Sequence, residues 1–67
     1  MRAWYTDVSG LHADLCQYPH QETTRLILKR SDLVLSVVEY STWSDAIATV
    51  LAAGSGWTSD LTGEPLT

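Results

Sequence analysis

Between Thr24 and Gly54 the chain carries two short apolar runs around a polar turn, followed at once by a capped amphipathic stretch. That order leaves few folds open. Leu26-Ile27-Leu28 and Leu33-Val34-Leu35-Ser36-Val37-Val38 are β-branched in part and too short for buried helices. Lys29-Arg30-Ser31-Asp32 between them is a turn segment. The reading is a β-hairpin, Arg25–Arg30 and Leu33–Tyr40. With Ser31 and Asp32 at its tip, Arg30 faces Leu33, Leu28 faces Leu35 and Leu26 faces Val37. One face then carries Leu26, Leu28, Leu33, Leu35 and Val37. The other carries Arg25, Ile27, Lys29, Val34, Ser36, Val38 and Tyr40. A two- or four-residue loop preserves this division. The turn has no Gly or Asn, which leaves its type open.

A helix over Trp43–Ala53 follows. Thr42-Trp43-Ser44-Asp45 fits a capping box, with Asp where Glu or Gln is usual. Trp43, Ile47, Val50 and Leu51 share one stripe at helical spacing, and Asp45, Ala48, Thr49 and Ala52 lie opposite. Gly54 stands where a left-handed C′ glycine is expected.

Residues 2–17 read as a first hairpin, with Ser9-Gly10 between alternating segments. Val8 then faces Leu11, Thr6 faces Ala13 and Trp4 faces Leu15. Trp4, Val8, Leu11, Ala13 and Leu15 take one side, and Tyr5, Asp7, His12, Asp14 and Cys16 the other. Leu11, Leu15 and Tyr18 also share a helical face, so a helix over 11–18 is the competing reading. Pro19 ends the second strand, and residues 18–23 form a connection. In the turn-rich tail, residues 55–67, Trp57, Ser59 and Leu61 alternate with Thr58, Asp60 and Thr62. A short fifth strand or a loose tail both fit that pattern.

The predicted fold is α+β: a small antiparallel β-sheet of two hairpins packed on one C-terminal α-helix, in the order β-β-β-β-α. At 67 residues it is a single domain spanning 1–67. A chain of this size buries only about 60% of its unfolded surface. The expected core is Trp4, Val8, Leu11, Leu15, Leu26, Leu28, Leu33, Leu35, Val37, Trp43, Ile47, Val50 and Leu51. One helix covers one sheet face. Tyr5, Ile27, Val34, Val38 and Tyr40 are left on the second, for the tail or another chain to cover.

Charge is unevenly placed. Residues 1–30 hold every basic group (Arg2, Arg25, Lys29, Arg30) against Asp7, Asp14 and Glu22. Residues 31–67 hold Asp32, Glu39, Asp45, Asp60 and Glu64 and no Lys or Arg. The net charge of −4 disfavours nucleic-acid phosphates and favours a basic partner. The lone Cys16 forms no intramolecular disulfide and suits a reducing compartment. There is no apolar run of membrane-spanning length and no signal-peptide core. A cytoplasmic protein is expected, and the start at Met1 suits a complete small gene product.

Chemistry-bearing patterns are sparse. His12, Cys16 and His20 have four-residue spacings that suit a helical zinc site, but on a strand His12 and Cys16 stand roughly 13 Å apart. An Asp7–His12 pair with Asp14 nearby is an acid–imidazole arrangement without a nucleophile or cleft. Arg25, Lys29 and Arg30, with Tyr5 or Tyr40 for stacking, could make a basic ribbon for nucleic acid. Glu22, Asp32 and Glu39 flank it. No phosphate loop, nucleophile elbow or dinucleotide fingerprint is present. No cofactor or metal is implied, and no enzyme is expected.

The favoured reading is a non-catalytic protein-binding module. Asp32, Glu39, Asp45 and Asp60 would meet a larger basic surface, with Tyr40 and Trp57 as anchors. One form is a stoichiometric inhibitor that covers the groove of a nucleic-acid-handling machine. In being compact, acidic and without catalytic groups, the chain resembles in general style the small phage-encoded anti-defence proteins, anti-CRISPRs included; no motif carries the likeness. The alternatives are a homodimer packed through Ile27, Val34, Val38 and Tyr40, and a nucleic-acid binder.

Overall fold

The computed structural model describes residues 1–67. Its elements are β1 (Arg2–Thr6), β2 (Leu11–Cys16), β3 (Thr24–Arg30), β4 (Leu33–Tyr40), α1 (Trp43–Ala53) and β5 (Thr58–Ser59). They form one antiparallel sheet in the order β4-β3-β2-β1-β5. The two expected hairpins, the helix and the short fifth strand are all present. Residues 11–16 are strand, not helix.

The first four strands are a meander that ends at β4, while β5 lies on the far side of β1. The chain must therefore cross the sheet between them, and α1 makes that crossing. Eleven residues rise about 16 Å, most of the roughly 19 Å between the first and fifth strand positions of a sheet. β2 is the middle strand and alternates buried with half-buried residues. Leu11, Ala13 and Leu15 of β2 join Leu26, Ala46, Val50 and Trp57 in the buried core. Tyr5, Leu28, Tyr40, Trp43, Ile47 and Leu66 pack around it.

Both hairpins differ in register from the sequence reading. The first turn has a three-residue loop, Val8-Ser9-Gly10, closed by the Asp7 N–H donating to the Leu11 carbonyl at 2.9 Å. Gly10, at φ +89°, occupies its left-handed position. The cause is Asp7, whose Oδ1 accepts from Ser9 N (2.9 Å), Ser9 Oγ (2.8 Å) and Leu11 N (2.8 Å). One residue of slip flips all of β1. Tyr5 lies opposite Ala13 on the helix side, and Trp4 lies opposite Asp14 on the open face. Val8, expected in the core, is 77% exposed.

In the second hairpin the expected tip holds, with Arg30 opposite Leu33 and Lys29 opposite Val34. A bulge then inserts Leu35, so Leu28 faces Ser36, Leu26 faces Val38 and Thr24 faces Tyr40. An edge strand tolerates such an extra residue, and here it brings the Tyr40 ring to the core. Val38 and Tyr40 thus lie on the helix side and Val37 on the open face. Leu33, Leu35 and Val37, expected in the core, are exposed, as is Leu51. Ser31, the first tip residue, sits at φ +54°. L-residues pay for that region, so Ser31→Gly should raise stability by about 1 kcal/mol, read as a higher urea midpoint at unchanged slope.

The helix cap forms as expected. Thr42 is extended, and its Oγ accepts from Asp45 N at 3.1 Å. Thr42→Ala should cost about 1 kcal/mol, seen as a lower melting temperature. Gly54 is not left-handed: its backbone is extended, at φ −163°. What requires glycine there is space. A Cβ at this position would run into the Asp7 carboxylate and the edge of the Trp57 ring.

Candidate functional site

Alternation and the observed register place Trp4, Thr6, His12, Asp14, Ile27, Lys29, Val34, Val37 and Glu39 away from the helix. This open face is mixed, not uniformly apolar. A hollow of about 230 Å³ sits on it, with Trp4, His12, Asp14, Lys29 and Asp60 among its walls. Thr6 Oγ donates to Asp60 Oδ1 at 2.6 Å. Its single proton is thereby used, so at the 3.0 Å contact with His12 Nδ1 it accepts. That arrangement puts a proton on Nδ1. Arg2 reaches Asp14 Oδ2 at 3.5 Å and lies 5.0 Å from the centre of the Trp4 ring.

The expected Asp7–His12 pair does not form: Asp7 serves the first turn and His12 bonds to Thr6. Cys16 lies at the other end of β2 from His12, and no three His, Cys, Asp or Glu side chains come together as a metal site. Asp7 itself is buried. Burial pushes its carboxyl up, but hydrogen bonds from the Ser9 hydroxyl and from the Leu11 and Ser9 amides, with Arg30 nearby, outweigh this and hold it below the ordinary Asp value. With a folded value below the unfolded one, stability rises with pH across that window. The contribution is complete above about pH 4, the unfolded Asp value, and is lost as pH falls through the lower folded value. Melting temperature against pH should therefore drop on the acid side, and Asp7→Asn should flatten that limb.

The sequence-proposed contact residues do not share one surface. Asp32 is at the β3–β4 tip and Asp45 in the first turn of α1. Asp60 is at the opposite edge, bound to Thr6. Glu39 accepts from Arg25 at 3.3 Å. Tyr40 is half-buried against the core, and Trp57, at 3% exposed, is a core residue that no partner can reach. Of the proposed self-association set, Ile27 and Val34 lie on the open face while Val38 and Tyr40 lie on the helix side. The basic ribbon divides too. Arg25 pairs with Glu39, Lys29 lies on the open face, and Arg30 donates to the Ser9 carbonyl and hydroxyl at 2.8 and 3.2 Å on the other side.

What the structure does gather is apolar surface along β4. Leu33, Val34, Leu35, Val37 and Val38 are 43–65% exposed on one eight-residue edge strand. The other edge is closed differently. β5 contributes only two residues, and Pro65 bridges to Thr58 outside it. β4 has no Pro and no Lys, two of the usual edge guards, and its protection is the bulge at Leu35 and the single charge of Glu39. The signal was visible in the sequence as aliphatics at consecutive positions, which serves no one-sided strand. It pointed to an edge once the meander order was known.

No helix is long and apolar enough to cross a membrane. Compared with protein-family models, curated proteins and solved structures, the chain matches none of them.

Proposed function

We propose that the protein is a non-catalytic binding module that works by strand addition at β4. The observation that carries this reading is the run of five exposed aliphatics on the one long unpaired edge. An open edge offers a row of main-chain donors and acceptors, and side chains on both faces of the strand add apolar contact. Large exposed apolar patches on small proteins mark interaction sites. The scattered acids make charge the secondary term. In the inhibitor form of this reading, the module occupies its target through the edge, with Asp32 and Asp45 flanking it.

Selection of a displayed library of extended peptides on the immobilised protein tests the proposal. Enriched peptides should be rich in β-branched and aliphatic residues. Leu35→Lys should abolish their binding, while Asp60→Lys should leave it unchanged. Enrichment of basic peptides whose binding is lost with Asp60→Lys and survives Leu35→Lys would reject strand addition.

A further inference from the structure

We infer that the strand added at β4 is β4 of a second copy of this chain, paired antiparallel about a two-fold axis into one continuous ten-stranded sheet. This inference rests on the strand-addition reading and names its occupant. Glu39 is the single formal charge on β4, and Arg25 of the same chain already pairs with it. The seam is therefore near neutral, so two copies of net charge −4 meet at a strip where neither repels the other. Of the other acids, Asp32 and Asp45 stand beyond the two ends of β4 and Asp60 at the far edge, none of them on the strand itself.

The edge is also self-complementary. A two-fold axis normal to the sheet keeps each side chain on its own face, so one residue must pair with its own counterpart. The bulge at Leu35 interrupts regular spacing, which leaves Ser36–Tyr40 as the longest regular stretch. Its middle is Val38. Centred there, Val38 faces Val38 of the second copy, Val37 faces Glu39, and Ser36 faces Tyr40. No like charges stand directly opposite. Centring on Glu39 would oppose two carboxylates.

The size of the seam sets its strength. Stable interfaces bury about 800 Å² per partner, roughly a fifth of the 4274 Å² this chain exposes. A seam of the five residues Ser36–Tyr40 is about 17 Å long and covers less, so the dimer forms and dissociates with concentration.

Sedimentation equilibrium over a wide concentration range tests this. The mass should rise from 7.4 kDa to twice that value. Val38→Lys sets two ammonium groups against each other on the axis and should hold the mass at one chain, while Val37→Lys, facing Glu39 of the second copy, should still dimerise. Opposed Cα atoms in a strand pair are about 4.5–5.5 Å apart, within disulfide reach. Val38→Cys in a Cys16→Ser background should therefore give a covalent dimer on oxidation, which reads the seam even if Val38→Lys fails to fold. A wild-type chain that stays monomeric throughout overturns self-pairing and leaves strand addition to be decided by the peptide selection. A dimer that survives Val38→Lys and does not cross-link through Val38→Cys places association elsewhere and overturns self-pairing at β4.

Discussion

Trp57→Ala should unfold this protein or leave it barely folded at 25 °C. The indole is 3% exposed and closes the core between the helix end and the sheet. Truncating a buried Trp costs about 3–5 kcal/mol. A 67-residue domain has roughly 3–10 kcal/mol in all, so the loss is a large share of the whole. The tail would loosen with it, because Leu66 N donates to the Trp57 carbonyl at 2.9 Å and Leu66 packs on the same core. Trp57→Phe should be much milder. Its ring keeps most of the contact, and the indole Nε1 has no hydrogen-bond partner to lose. Urea titrations of both variants would show the ranking. Equal losses would mean that the core does not depend on this ring.

Gly54→Ala should be the most damaging single-methyl change, costing about 1–3 kcal/mol by overpacking. The backbone at φ −163° suits any residue, so the penalty is steric. The added methyl would meet the carboxylate that organises the first turn and the edge of the Trp57 ring. Asp7 is held by three hydrogen bonds on Oδ1 and cannot swing aside without releasing them. A double-mutant cycle with Asp7→Ala should thus show strong non-additivity, since the two changes act on one contact. Gly56→Ala makes a useful comparison. Its methyl meets the exposed Val8 side chain, which can move, so the cost there comes from φ +64° and no coupling to Asp7 is expected.

These positions also show where a sequence stops speaking. The helix, its Thr42 cap and the Ser31-Asp32 tip were legible because each is decided within a few residues. The first hairpin was legible as an element but not in register. Ser9-Gly10 suggests a two-residue loop, and only the side chain of Asp7 tips it to three. The bulge at Leu35 left no local mark, because it answers to the Tyr40 ring seeking the core across the sheet. Together these one-residue slips moved Tyr5, Val38 and Tyr40 to the helix side of the sheet and Trp4 and Val37 to the open face. The open face keeps His12, Asp14, Lys29 and Glu39 beside Trp4 and Val37, and the surplus apolar surface collects at the β4 edge. Trp57 stood in a polar segment, and nothing nearby in sequence showed that the helix would carry it back over the core.

In an edge strand alternate amides point away from the sheet, and their hydrogen exchange reports whether anything covers them. Followed residue by residue along β4 at rising protein concentration, the outward amides from Ser36 to Tyr40 should slow together while those of the central strand β2 stay constant. Outward amides that exchange as freely in concentrated solution as in dilute would mean that no copy of the chain adds a strand there.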